Sequence, residues 1–281
     1  MRPELEPRHA GPARIEGPWP FITRLSYIAA GRRIVWLARQ HRKGLGSVQR
    51  AGERPLWRRP GYNWSVGALF ALGSLLFMLG SVLSLLPREI APSSFAANVV
   101  FFLGSIPFTL AGYLQHFQSA NAPPFEAARL RARPGDAIAL IGWYPGNLGW
   151  LSTFTQFVGT LAFNVSTFNA IVVTRGVAAQ DIAVWTPDMV GSVLFLVSGY
   201  LAFMETSNGY WSWKPRELAW RIVFVNLLGC VAFLTAGILA YVPAGPEAPW
   251  IVVVSEEHLL LGGLGFFIGA VLTMRESRLA A

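Results

Sequence analysis

The sequence predicts an all-α polytopic membrane protein, in which six transmembrane helices form three tandem two-helix hairpins after a basic N-terminal region. Of its 281 residues, 53% are hydrophobic and only 14% are charged, whereas soluble domains carry about 25% charged residues. Six apolar spans follow residue 63, and one spacing of Trp, Gly and Phe recurs three times among them. A single soluble globular domain is therefore excluded.

The basic N-terminal region, residues 1–63, holds 13 of the 23 Lys and Arg residues. Residues 1–20 are rich in Pro, Arg and Glu and are expected to be disordered. Residues 21–37 fit either two short strands or an amphipathic helix on the membrane surface, and their β-branched and aromatic content favours the strands. We expect the run Arg39-Gln40-His41-Arg42-Lys43 to face solvent or lipid headgroups. The predicted partners are the lipid bilayer and, through N-terminal Arg and Lys, anionic headgroups, with no nucleic acid.

The six apolar spans are long enough, or nearly so, for helices that cross a bilayer in about 20 residues. Each pair forms one predicted hairpin, and the hairpins cover residues 64–120, 150–206 and 220–281, with loops at 121–149 and 207–219 that we expect to be cytoplasmic. The spans are Trp64–Leu86, Ala97–Phe117, Trp150–Val172, Met189–Met204, Trp220–Val242 and His258–Met274.

The distribution of positive charge predicts the orientation. With the N-terminus in the cytoplasm, 21 of the 23 basic residues fall on the cytoplasmic side, and only Arg88 and Arg175 fall outside. Because cytoplasmic loops carry the excess of Lys and Arg, the sequence predicts a multi-pass protein of the bacterial cytoplasmic membrane with both termini inside. Trp64, Trp150 and Trp220 fall at the inner ends of the odd-numbered spans, where interfacial anchors are expected.

An internal repeat relates the three hairpins. Each begins with a Trp, a Gly follows nine residues later, and a Phe stands four residues after that Gly; the second span of each hairpin repeats the Gly and Phe spacing. Glycine followed by another small residue allows two helix backbones to approach closely in lipid. The predicted helix-packing residues are Gly73, Gly104, Gly159, Gly191, Gly229 and Gly262.

The segment GALFALGSLLFMLGSVL, with its Gly-x3-Phe-x2-Gly-Ser pattern, resembles the YrhK-like domain, a short bacterial membrane module built on a two-helix hairpin. The resemblance continues through Gly104-Ser105 and Phe108-Thr109. It is weaker in the later hairpins, where Gly159-Thr160 and Gly229-Cys230 replace Gly-Ser. The basic N-terminal region followed by six spans is similar to uncharacterised bacterial integral membrane proteins. The resemblance implies a membrane location and a fold module, and no activity or catalytic residues.

Catalytic and cofactor signatures are absent from the sequence. The four histidines are scattered, and the single cysteine, Cys230, occupies a packing position of the repeat. Spacings typical of nucleophile elbows, phosphate loops or metal-ligand pairs do not occur. We therefore predict no catalytic residue, no metal, no cofactor and no enzymatic activity.

Polar residues at membrane depth are the better indication of a site, because they are expensive there. Gln156 and Asn226 occupy equivalent repeat positions, three residues before the Gly, and Asn164 lies in the same polar third span. These three residues are candidates for a polar pathway around a pseudo-threefold axis; the alternative is hydrogen bonding between helices.

A second candidate set lies near the cytoplasmic ends of the even-numbered spans. Fourteen residues after the second Gly of each repeat stand Gln118, Glu205 and Glu276, which form a predicted inner ring. Such residues either extend to the interface, as polar residues at helix ends do, or form a vestibule that attracts cations.

Two functions remain open from the sequence. The first, which we favour at this point, is a structural or interaction module in the cytoplasmic membrane. The second is a small transporter or channel, whose pathway lies at the interface of the repeats. The sequence assigns no substrate, protein partner or oligomeric state.

Overall fold

The computed structural model describes residues 13–29, 31–45, 55–87, 89–90, 93–122, 138–172, 176–241 and 248–280. Some residues used in the orientation argument lie outside these ranges: Arg129, Arg131 and Arg133 of the loop at 121–149, and the predicted outer residues Arg88 and Arg175. The strands are β1 (Arg14–Glu16), β2 (Arg24–Ala29) and β3 (Arg32–Leu37), and a short helix, α1 (Ala38–Lys43), follows them directly. The long helices are α2 (Pro60–Leu85), α3 (Ser94–Ala120), α4 (Leu148–Val172), α5 (Val177–Ser207), α6 (Leu218–Leu239) and α7 (Pro249–Leu279).

The strands confirm the hairpin predicted for residues 21–37. β2 and β3 pair antiparallel, from Arg24 opposite Leu37 to Ala29 opposite Arg32. The expectation of disorder over residues 1–20 is wrong for residues 14–16, because β1 pairs with β2 to complete a three-stranded sheet; residues 1–12 lie outside the described ranges. The all-α class therefore applies only after this sheet. We call residues 13–45 the N-terminal cap.

Five long helices of the described chain are long and apolar enough to cross a membrane: α2, α3, α5, α6 and α7. They coincide with five of the six predicted spans, and α5 and α7 are longer than predicted. The remaining predicted span is also helical over 25 residues, as α4. It is not one of the five because Gln156, Asn164 and Asn169, besides several hydroxyl side chains, interrupt its apolar stretches. An integral membrane protein with several spanning helices is consistent with this architecture.

The long helices form a closed ring. Each packs against the next along the chain, from α2 to α7, and α7 packs back against α2. Helix α1 contacts α3, α4 and α5, and so lies across one end of the ring. We call this the capped end.

Phenylalanine side chains fill the centre of the helix ring, and each long helix contributes one of them. Two sets of three are in mutual contact, at centroid distances of 5.9–6.5 Å in the first and 5.3–5.9 Å in the second. All six side chains are at most 5% exposed. We call these sets the Phe triads: Phe77, Phe163 and Phe233 from α2, α4 and α6, and Phe108, Phe195 and Phe266 from α3, α5 and α7.

Glycine allows the two helices of each hairpin to approach closely. A Cβ atom added to Gly73 would lie 2.8 Å from the carbonyl oxygen of Gly104, and one added to Gly104 would lie 3.1 Å from that of Gly73. Side chains at these crossings would force the backbones apart. The corresponding crossings of the other two hairpins bring together Gly159 with Gly191 and Gly229 with Gly262.

Replacing Gly159 by Val is therefore expected to lower the free energy of unfolding by about 1–3 kcal/mol. A Cβ there would lie 2.7 Å from the ring of Phe195 and 3.2 Å from the carbonyl oxygen of Gly191. Thermal unfolding in detergent measures the loss. The matched control is Gly61→Val, also in a long helix, where an added Cβ meets nothing within 4 Å. Equal losses for the two variants would contradict close packing at Gly159.

Two of the three tryptophans predicted to be interfacial anchors are instead buried. Trp150 is 1% exposed and Trp220 is 2% exposed, whereas Trp64 is 39% exposed. Each buried indole stacks on a Phe four residues later, at centroid distances of 4.8 and 4.5 Å. Its Nε1 donates to a carbonyl of the preceding loop, at 3.1 and 3.0 Å. The anchor prediction is wrong for these two residues because the preceding loops supply the hydrogen-bond partner that an interface would have supplied.

Candidate functional site

A chamber lined by both polar and apolar side chains lies inside the capped end of the ring. Its volume is about 70 Å³, which is room for several water molecules. All six long helices contribute to its wall, so it lies on the axis of the ring. Gln156 of α4 and Asn226 of α6 both line it, although α5 separates their helices in the ring. Other wall residues are Phe70, Gln115, Ser152, Ser198, Cys230 and Thr273.

The Phe triads close the chamber on the side away from the cap. Phe195 and Phe266 line it directly, and beyond them a void of about 10 Å³ lies among the phenylalanine rings. Such a void holds at most one water molecule. We call the cavity between the Phe triads and the N-terminal cap the axial chamber.

Helix α1 forms the floor of the axial chamber with three basic side chains. Arg39, Arg42 and Lys43 all line it, and they are only 6%, 6% and 8% exposed. The prediction that residues 39–43 face solvent or lipid headgroups is therefore wrong for these three. The spacing i, i+3, i+4 places them on one face of α1, and this face is turned onto the ends of the long helices. That spacing was the signal in the sequence that could have revealed a buried face.

Two residues of the predicted inner ring form ion pairs with the basic side chains of this floor. Glu276 of α7 accepts two hydrogen bonds from Arg39, at 2.5 and 2.9 Å, and one from Lys43, at 3.4 Å. Glu205 of α5 accepts one from Arg42, at 2.6 Å. Because the Glu205 and Arg42 side chains are 1% and 7% exposed, each charge depends on its partner for stabilisation.

The third member of the inner ring also binds the N-terminal region. Gln118 is 1% exposed, and its Nε2 donates to the carbonyl oxygen of Trp57 at 2.5 Å and to Oδ1 of Asn63 at 3.1 Å. Asn63 in turn donates to the carbonyl oxygen of Lys43 at 2.8 Å. All three ring positions therefore lie at the capped end and bind Arg39, Arg42, Lys43, Trp57 or Asn63. Neither sequence-based interpretation of the ring included these partners.

Asn164, grouped with Gln156 and Asn226 in the candidate pathway, is not part of the axial chamber. Its Nδ2 donates to the hydroxyl of Thr109 on α3, at 2.8 Å. The structure therefore brings together two of the three candidate pathway residues, and Asn164 takes the other role foreseen for such amides, hydrogen bonding between neighbouring helices.

Some polar atoms in the chamber wall have no partner within the described residues. These include Nε and Nη1 of Arg42, Oε1 of Glu205 and Oδ1 of Asn226. Buried polar groups are normally hydrogen-bonded, so these atoms carry unused hydrogen-bonding capacity next to the chamber. Within the described ranges, no group of three His, Cys, Asp or Glu side chains is arranged to hold a metal ion.

The pKa of Lys43 reflects its burial beside two other basic side chains. Burial, together with the neighbouring Arg39 and Arg42, lowers the pKa of Lys43 from 10.5 to about 8, although Glu276 opposes the change. The pKa of Arg39 is raised: burial lowers it, but the charge of Glu276 and the hydrogen bonds to it more than offset burial.

Lys43→Met is therefore expected to stabilise the protein near neutral pH. The unfolded state binds more protons than the folded state between the folded pKa of about 8 and the unfolded value of 10.5, so the wild type gains stability as the pH rises through this window. The difference between the two proteins should be up to about 3 kcal/mol at pH 7. It should vanish above pH 10.5. The free energy of unfolding of the wild type and of Lys43→Met, measured at pH 7 and above pH 10.5, checks this prediction. A difference between the two proteins that is the same at both pH values would contradict it.

Searches for a matching family model, curated protein or solved structure give no match. The function is therefore argued from the geometry of the axial chamber and its cap.

Proposed function

We propose that the chain spans the membrane six times, as three tandem hairpins around a pseudo-threefold axis. The Phe triads support this arrangement, because each triad takes one ring from every hairpin at equivalent repeat positions. The paired glycines support it as well, since they stand at the crossing point of each hairpin. Three equivalent units around one axis are what a tandem repeat of this kind produces.

The packing of α4 supports its assignment as the sixth spanning helix. It occupies a ring position between α3 and α5 like the other long helices, and its 25 residues include no charged side chain. Three of its polar side chains donate hydrogen bonds to neighbouring elements: Asn164 to Thr109, Asn169 to the carbonyl oxygen of Ala183 at 2.6 Å, and Ser166 to that of Val184 at 2.9 Å. Polar side chains paired in this way are tolerated at membrane depth.

We place the capped end in the cytoplasm of a bacterial cell. The bias of 21 basic residues in 23 supports this orientation. A set of exposed tryptophans at the capped end fits the membrane interface, where aromatic side chains concentrate. Arg32 and Arg33, exposed on β3, are positioned for anionic headgroups at that surface. The exposed tryptophans are Trp19, Trp143, Trp211 and Trp213.

The function that the geometry supports best is the passage of a small polar solute along the ring axis, as in a channel or transporter. One observation carries this proposal: Gln156 and Asn226, from equivalent positions of two repeats, line the same axial chamber. A polar cavity is expensive inside a membrane protein and is retained where it serves a pathway. Known transporters built from repeats hold their substrates at the interface between repeats. Passage requires movement of both the N-terminal cap and the Phe triads.

The second candidate function is a structural or interaction module of the membrane. The dense packing of the Phe triads favours it, since the void among them is only about 10 Å³. The resemblance of residues 64–120 to the YrhK-like domain, which implies no activity, is compatible with this candidate and stays a prediction.

Flux through liposomes distinguishes the two functions. Purified wild-type protein is expected to pass at least one member of a panel of small ions and neutral solutes, and Gln156→Leu/Asn226→Leu to reduce that flux about tenfold. Asn164→Leu is the matched control, because this amide lies outside the axial chamber. No flux for any solute would overturn the pathway and leave the structural module. Equal flux in the double variant and the control would show only that Gln156 and Asn226 do not line the pathway.

A further inference from the structure

We infer that the axial chamber binds a small monovalent anion, of the size of chloride or formate, at the floor formed by α1. This inference rests on the proposed function for its biological role, since it names the class of solute that the pathway would hold. It depends on three features of the chamber: its charge, its unpartnered donors and its volume.

The charges at the floor do not balance. Three basic side chains, Arg39, Arg42 and Lys43, face two carboxylates, those of Glu205 and Glu276. Arg39 and Glu276 form a two-bond pair, and Arg42 pairs with Glu205, so the charge of Lys43 is the surplus. Its Nζ lies 3.4 Å from a carboxylate oxygen that already accepts from Arg39. A surplus charge in a largely buried site is unfavourable, and an opposite charge bound in the chamber would stabilise it.

Arg42 supplies a donor for that opposite charge. It is 6% exposed, and its Nη1 has no partner within the described residues although Arg42 lines the axial chamber. Guanidinium N–H groups form strong, charge-assisted hydrogen bonds to anions. The amide groups of Gln156 and Asn226, in the same wall, can donate as well.

The remaining features of the chamber restrict the charge and the size of the anion. Oε1 of Glu205 is also without a partner, and its negative charge disfavours a divalent anion, whereas one negative charge neutralises the surplus of one. A volume of about 70 Å³ holds chloride or formate with some water, and gluconate, a six-carbon sugar acid, is much larger than either anion. Burial is the largest cause of the lowered pKa of Lys43, and the further lowering by Arg39 and Arg42 agrees with a local excess of positive charge.

Titration of the full-length protein in lipid nanodiscs tests the inference. Sodium chloride and sodium formate replace sodium gluconate at constant ionic strength, and calorimetry records binding. The wild type is expected to bind each small anion saturably at one site. Lys43→Met balances the charges and should weaken binding about tenfold or more. Lys214→Met makes the same chemical change outside the axial chamber and should leave binding unchanged.

Two further variants separate the charge of the chamber from folding. Gln156→Glu also balances the charge, without changing the cap, and should weaken binding as Lys43→Met does. Adding Gln115→Lys to Lys43→Met restores one positive charge from a different wall and should restore binding. Absence of saturable binding to the wild type, equal losses in Lys43→Met and Lys214→Met, or binding unaffected by Gln156→Glu would overturn the inference. Anion binding without flux in liposomes would overturn the proposed pathway alone.

Discussion

Replacing Glu205 by Leu is expected to lower the free energy of unfolding by about 3–5 kcal/mol, because it leaves the buried guanidinium of Arg42 without its counter-ion. The side chains of this pair are 1% and 7% exposed and meet at 2.6 Å. The double variant Arg42→Met/Glu205→Leu removes both charges and should recover most of the loss, since replacing a whole buried ion pair by apolar side chains is often neutral or stabilising. Denaturant unfolding in detergent micelles measures all three proteins.

The control for this cycle is an ion pair on the sheet of the N-terminal cap. Glu16 accepts from Arg24 at 3.0 Å, and these side chains are 23% and 32% exposed. Glu16→Leu should therefore lose no more than about 1 kcal/mol. If Glu205→Leu and Glu16→Leu lose the same amount, or if the double variant is as unstable as Glu205→Leu, the buried pair does not hold the cap in the way described.

Replacing Phe195 by Ala is expected to lower the free energy of unfolding by about 3–5 kcal/mol and to raise solute flux through liposomes. Phe195 contacts rings of both Phe triads, at 4.9 Å from Phe163 and 5.7 Å from Phe266. It also lines both the axial chamber and the small void beyond it. Removing its ring joins the two cavities and removes part of the closure along the axis.

Phe168→Ala is the matched control for this prediction. Phe168 is 48% exposed and contacts Phe102, at 5.6 Å, rather than the triads. It should change stability much less than Phe195→Ala and leave flux unchanged. A stable Phe195→Ala protein, or one that gains no flux over the control, would contradict closure of the axis by the Phe triads.

The residues that form the centre of the ring could be predicted because one spacing of Gly and Phe recurs along the sequence. Gly and Phe stand at fixed spacing in all six spans, and the spacing identifies the face of each helix that lies toward its neighbours. The same argument identified Gln156 and Asn226 as equivalent residues, and both line the axial chamber. Asn164 has no such equivalent and lies outside it, so repeat equivalence was a better guide than polarity alone.

The N-terminal cap could not be predicted, because its position depends on long-range contacts. Arg39, Arg42 and Lys43 are separated from Glu205 and Glu276 by more than 160 residues along the chain, and isolated basic runs are usually exposed. The expectation that residues 39–43 face the surface came from the basic composition of this segment. The spacing of these three residues on one face of α1, opposite acidic helix ends, was the only local indication of burial.

The burial of Trp150 and Trp220 has a similar cause. Tryptophan near the end of an apolar span is typical of an interfacial anchor, and the sequence gives no sign of the loop carbonyls that accept from each indole Nε1. Those carbonyls, of Ile141 and Ser212, depend on loops that fold back over the capped end.

The single cysteine tests the central claim, that a chamber lies on the axis beneath the N-terminal cap and is closed by it. Cys230 lines the axial chamber and is 2% exposed. The measurement is the rate at which a small, membrane-impermeant methanethiosulfonate modifies Cys230. The account predicts slow modification of the wild type and modification about tenfold faster in Glu205→Leu, which releases the cap. Gly104→Val, which destabilises the crossing of α2 and α3 and meets no residue that lines the chamber, should react as slowly as the wild type. Rapid modification of the wild type, or equal rates in Glu205→Leu and Gly104→Val, would contradict a chamber closed by the cap.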